Sequence, residues 1–133
     1  MSEKIPIKTQ GDILLARQAG RELARTLGFR LADQTRLATA ISELTRNVIN
    51  YAGEGTCTIS DLSCRKQLKI QVCVEDKGGG IVNLEQALTD GFSTGSGLGA
   101  GLPGTRRLMQ EFAIETQPGH TRITIALIRQ LLT

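Results

Sequence analysis

The sequence predicts an α+β fold, a two-layer sandwich in which helices cover one face of a mixed sheet. Three observations lead there. Two long N-terminal segments carry apolar residues at helical spacing, and short alternating runs occupy the middle and end of the chain. Nine of the fifteen glycines crowd between Gly78 and Gly104, separating the two sets of strands. Runs of strands kept apart from runs of helices build layers of this kind.

Taken in order, "KIPIKT" alternates and reads as a first strand, placed at a sheet edge because Pro6 has no N–H to give. From Asp12 to Leu27, Ile13, Ala16, Gly20, Leu23, Ala24 and Leu27 keep helical spacing, with Asp12 as cap and Gly28 as terminator. A second helix is expected over 32–52, its narrow buried stripe formed by Leu37, Ile41, Leu44, Val48 and Tyr51. "GEG" then breaks the chain. "TCTISDLS" and "LKIQVCVED" read as strands joined by a polar turn at Cys64–Gln67, the second strictly alternating through Leu68, Ile70, Val72 and Val74. After the glycine-rich stretch, with a short helical piece over 84–89, "GTRRLMQEF" reads as a helix. "FAIETQ", "PGH" and "RITIALI" read as a closing hairpin.

Composition narrows the function classes. A chain of 133 residues, 40% hydrophobic and 22% charged, is expected to form one domain with a sizeable core. With three Phe, one Tyr and no Trp, that core is aliphatic and there is little to stack on bases, so nucleic acid is excluded as a partner. The net charge of +3 is spread along the chain and suits an acidic protein partner. Cys57, Cys64 and Cys73 are odd in number and form no CxxC pair, which argues against a disulfide framework or a zinc site; one histidine, His120, adds no metal set. There is no signal-like apolar run and no stretch of 18 apolar residues, so a cytoplasmic protein without membrane association is expected.

The glycines admit three readings. "GAGLPG" satisfies G-x-G-x-x-G, but the preceding "FSTGSGL" is no strand and no acid follows at the right distance, so a dinucleotide turn fits poorly. No G-K-[ST] ends any run, which removes a P-loop. The third reading joins three segments. In "ISELTRN", Glu43 and Asn47 stand four apart on one helical face beside the buried stripe, where a carboxylate and an amide can order a water and supply an oxygen to magnesium. In "EDKGGGI", Asp76 ends a strand and can accept from an exocyclic amine, while Gly78 and Gly80 let a base approach the backbone. In "GLGAGLPGTRRL", a glycine segment runs into a helix N-terminus, which presents N–H groups to phosphates.

In this order and spacing the three segments resemble the N-box, G1 box and G2 box of the Bergerat-type ATP-binding fold shared by gyrase, the Hsp90 chaperone, histidine kinases and MutL. The strings "TAISELTRN", "DGFSTGSGLGAGLPGTRRLM" and "ARQAGRELARTLGF" are similar to the RsbT-type, anti-sigma-like protein serine/threonine kinases, and the likeness spans nearly the whole chain. The resemblance implies ATP and Mg2+ as cofactors, with Glu43 as catalytic carboxylate and Asn47 as magnesium ligand. It implies Asp76, Gly78, Gly80 and Thr121 around adenine, and Gly97, Leu98, Gly99, Ala100, Gly101, Leu102 and Gly104 as a lid over the phosphates. It also implies partners: STAS-domain scaffold proteins of a stressosome as acceptors, and a PP2C-type phosphatase activated by the released kinase. The alternative is a non-catalytic, nucleotide-dependent module that sequesters a partner. Two departures stand out: "PGHT" is shorter than the family's last glycine box, and "FSTGSG" offers no cation before the lid glycines.

Overall fold

In the computed structural model, which describes residues 1–78 and 101–131, strand β1 (Ser2–Ile7) leads into helices α1 (Gln10–Leu27) and α2 (Leu31–Tyr51). Strands β2 (Gly55–Asp61) and β3 (Gln67–Asp76) form a hairpin; α3 (Gly101–Leu108), β4 (Glu111–Gln117) and β5 (His120–Gln130) follow. The expected helical piece over 84–89 lies outside the described residues. The five strands lie in the order β1-β2-β3-β5-β4, and every neighbouring pair is antiparallel. The sheet is therefore antiparallel where a mixed one was expected, while the α+β sandwich stands. β2 with β3 and β4 with β5 are hairpins, and β5 also pairs antiparallel with β3.

Alternation along each strand sets the two faces. Ile5, Ile7, Cys57, Ile59, Ile70, Val72, Val74, Ile123, Ile125 and Leu127 are buried toward the helices. They meet Ala16 and Ala24 of α1 and Leu37, Ile41, Leu44 and Val48 of α2 in one aliphatic core. Full burial of a side chain such as Ile125 or Leu127 contributes about 1.5–3 kcal/mol. The opposite face carries Lys4, Thr58, Ser60, Lys69, Gln71, Glu75, Arg122 and Thr124 at the alternate positions and has no helix on it among the described residues.

Helix ends refine the sequence expectations. Thr9, not Asp12, is the N-cap of α1; its hydroxyl accepts from Asp12 N–H at 3.3 Å, and Asp12 at the third position returns the bond. Asp12 Oδ2 accepts from the N–H groups of Lys8 and Thr9 at 2.8 and 3.0 Å, and these bonds, Lys8 first, hold its carboxyl below the usual range. Gly28 closes α1 in the left-handed conformation (φ 95°), and Phe29 N–H reaches Ala24 O at 3.0 Å. Arg129 Nη1 donates to Gly28 O at 3.1 Å, tying the helix turn to β5. In α2 the buried stripe ends at Val48: Tyr51 continues the spacing but is 55% exposed.

The cysteines are free thiols. Cys57 stands opposite Val74 on the helix-covered face, whereas Cys73 stands opposite Thr58 on the other, so the two cannot bridge. Burial pushes the Cys57 thiol up to about 12, and burial likewise raises Cys73; Cys64 is exposed in the β2–β3 turn.

Candidate functional site

The C-terminal half of α2 supplies the first part of the site. Glu43 is 7% exposed and Asn47 is half-buried, so the face they share lies at the margin of the core, as the four-residue spacing requires. A buried carboxylate needs a partner. Arg46, one turn on, donates from Nη1 to Glu43 Oε1 at 2.7 Å. Thr45, fully buried between them, turns its hydroxyl back to Ile41 O at 2.7 Å and makes no demand on the site.

The second part is the end of β3. Asp76 closes the strand, and its Oδ1 accepts from Gly78 N–H at 2.9 Å in a tight side-chain turn, so its Oδ2 stays outside that bond. Thr121 of β5 is Asp76's register partner on the helix side of the sheet. It is 5% exposed, and its hydroxyl lies 2.9 Å from that of Thr116. Two residues 45 positions apart in sequence are thus set side by side by the β3–β5 pairing.

Close backbone approach joins the two parts. A Cβ on Gly78 would stand 2.7 Å from Ala52 Cβ and 3.0 Å from Ala52 Cα, so the turn after Asp76 packs directly on the end of α2. On the other side of Asp76, Gly55 is its partner in β2; a Cβ there would lie 2.3 Å from Glu75 O and 2.9 Å from Val48 Cγ1. Sequence reading took "GEG" as a simple break and missed Gly55; its requirement comes from a neighbouring strand. Gly55→Ala is expected to force β2 from β3 and cost about 1–3 kcal/mol, the range for overpacking. Because the displaced carbonyl adjoins Asp76, nucleotide affinity is expected to fall along with the melting temperature. A calorimetric melt paired with a titration checks this, and an unchanged melt would remove the close-approach argument.

Gly80, expected beside the base, and the expected lid residues Gly97, Leu98, Gly99 and Ala100 lie outside the described residues. Gly101 opens α3, and Gly104 is half-buried within it. Leu102 is 7% exposed and belongs to the core cluster, so its side chain is committed to packing and only its backbone is left for a ligand. Helix α3 packs on α2 and buries Thr105 completely.

Sequence reading also missed the charges beside Thr121. His120 Nε2 meets Glu75 Oε2 at 3.1 Å, and Arg122 Nε meets the same oxygen at 3.4 Å. The His120 bond first, then the Arg122 charge, hold the Glu75 carboxyl below its usual range. A cavity of about 360 Å³ opens here, lined by Ile114, Glu115, Thr116, Gln117 and His120. It adjoins the Thr121 end but not Glu43, Asn47 or Asp76. Among the described residues there is no group of three or more His, Cys, Asp or Glu side chains placed to hold a metal ion.

This geometry meets its relatives at the level of the whole chain. Residues 32–130 match the family of histidine kinase-, DNA gyrase B- and HSP90-like ATPases. Over 115 residues the chain is 47% identical to serine/threonine-protein kinase RsbT of Bacillus subtilis (strain 168), covering 86% of each. Among solved structures, the RsbU and RsbW domains of Rv1364c from Mycobacterium tuberculosis align with TM-score 0.66 and 19% identity. That alignment covers 98% of this chain and 32% of the other, so the chain spans about a third of that protein. The SiaB–SiaC complex from Pseudomonas aeruginosa gives TM-score 0.61 at 14% identity over 97% and 89% of the two chains. The catalytic domain of histidine kinase ThkA gives 0.54 at 19% over 94% and 95%. At such identities these structures speak for the fold alone. The chain belongs to the histidine kinase-, gyrase B- and HSP90-like ATPase family, in its RsbT-type serine/threonine-protein kinase branch.

Proposed function

We propose that the protein transfers the γ-phosphoryl group of ATP to a serine or threonine of a STAS-domain partner in a stressosome. In this reading the kinase, once released, activates a PP2C-type phosphatase, and both events take place in the cytoplasm. The observation that carries the reading is the placement of Glu43 and Asn47 on the α2 segment whose end packs on the Asp76–Gly78 turn. A module that only held adenine would need Asp76 and Thr121 but not a buried carboxylate one turn from an amide.

The residues fit the expected ligands. Asp76 Oδ2 and the Thr121 hydroxyl are the polar atoms offered to a purine, and Gly78 leaves no side chain between the turn and α2. Asn47 would hold Mg2+ together with phosphate oxygens; when bound, the ion supplies charge neutralisation at the phosphates. Glu43 orients the acceptor hydroxyl and takes its proton. The backbone of 97–104 is proposed to close over the phosphates, with Gly80 beside the base.

Incubation with γ-radiolabelled ATP, magnesium and a purified STAS-domain protein tests the reading. The expected result is label on a serine or threonine of the partner. Tight, nucleotide-dependent partner binding without transfer would replace the kinase with the sequestering module.

A further inference from the structure

We propose that Arg46 is a positioning residue for phosphoryl transfer, fixing the carboxylate of Glu43 in the orientation from which it acts on the acceptor hydroxyl. The proposal rests on the reading of Glu43 as the base and adds the element that aims it. Glu43 Oε1 accepts from Arg46 Nη1 at 2.7 Å, a short charge-assisted contact, with the Glu43 side chain 10% exposed and the Arg46 side chain 29% exposed. A glutamate has three rotatable bonds, and at a core margin a carboxylate with no anchor would sample several rotamers. The ion pair engages Oε1 and leaves Oε2 outside it, so one oxygen is anchored and the other serves the chemistry. The Arg46 side chain is partly exposed, which limits the cost of holding the pair. Asn47 follows it directly in the helix, so the anchor, the base and the amide are set by a single turn of α2.

The step itself balances within this frame. The acceptor oxygen forms its bond to the γ-phosphorus while the bond from that phosphorus to the β–γ bridging oxygen breaks. Its electron pair leaves on ADP, and the hydroxyl proton passes to Glu43 Oε2. Arg46 touches neither phosphate nor acceptor in this scheme; it acts only through Glu43.

That restriction makes the proposal testable by a double-mutant cycle in the full chain, using wild type, Arg46→Met, Glu43→Gln and the double variant. Methionine keeps helix propensity and an apolar stem. Arg46→Met is expected to lower the transfer rate about 10–100-fold, the scale of a misaimed group, with KM for ATP within about twofold. Arg46→Lys is expected to recover part of the rate by restoring a cation without the fork. In the Glu43→Gln background, Arg46→Met is expected to cost nothing further. Losses that multiply across the cycle would overturn the proposal, because Arg46 would then act on its own. A normal rate in a folded Arg46→Met protein would overturn it too. Should Arg46→Met unfold, Arg46→Lys in the two backgrounds carries the same comparison. Wild-type transfer by Glu43→Gln alone would instead sink the base reading, a failure distinguishable from loss in Glu43→Gln with none in Arg46→Met.

Discussion

Glu43→Gln is expected to bind ATP with magnesium normally while losing about 10²–10⁴-fold in transfer to the partner, the range for a positioned base. Glutamine keeps the volume and one oxygen that Arg46 can still use, so the packing around this nearly buried site is retained. What disappears is the capacity to take a proton. Partner binding is expected to survive, since the side chain lies at the inner margin of α2 rather than on its outer face. Single-turnover transfer, calorimetric ATP affinity and a thermal melt, run together, separate the outcomes. A purely structural Glu43 would lower the melting temperature and all activities in step. Near-normal transfer from a folded Glu43→Gln protein would remove Glu43 from the mechanism while leaving the fold and nucleotide site intact.

Asp76→Asn is expected to reduce ATP affinity about ten- to a hundredfold, from roughly 1.5–3 kcal/mol for a lost charged hydrogen bond. The turn explains why so small a change matters. Gly78 N–H, donating at 2.9 Å, will keep an oxygen at the Oδ1 position. The amide nitrogen is then forced into the Oδ2 position, where it opposes a purine amine donor to donor. Because the turn bond survives, the melting temperature is expected to change little. Titration calorimetry with ATP and with adenosine checks this, and the two ligands are expected to lose alike. Unchanged affinity would take Asp76 out of the site.

Much of this was legible in the sequence because periodicity is local. The α1 and α2 stripes, the alternation of β3 and the closing hairpin each announced themselves within a short continuous stretch of chain. What escaped was decided by neighbours distant in the chain. The antiparallel pairing of β3 with β5 joins strands far apart in the chain, which no alternation records. Gly55 is required by Glu75 O on another strand, and Tyr51 keeps helical spacing but sits past the end of the covered face. The N-cap moved from Asp12 to Thr9 because both are good cap residues and only the pair of reciprocal bonds distinguishes first from third position. At the site, the family resemblance put Asp76 and Thr121 around one base, and the β3–β5 register is what makes them neighbours. Arg46 was passed over because a cation three residues after a glutamate is commonplace on helices; the burial of Glu43 gives it significance.

The three thiols give the molecule a built-in address for a reporter. Cys57 is fully buried with its ionisation pushed up to about 12, and Cys73 is raised as well, so neutral-pH maleimide chemistry is directed to Cys64 in the β2–β3 turn. That turn lies at the Gln67 end of β3, nine residue steps from Asp76 at the other end, or about 30 Å along an extended strand. A fluorophore attached there stands at the end of β3 away from the proposed nucleotide site. Its anisotropy would therefore report the proposed exchange, rotation slowing if a large partner assembly captures the protein and quickening if the protein is let go, in wild type and variants alike.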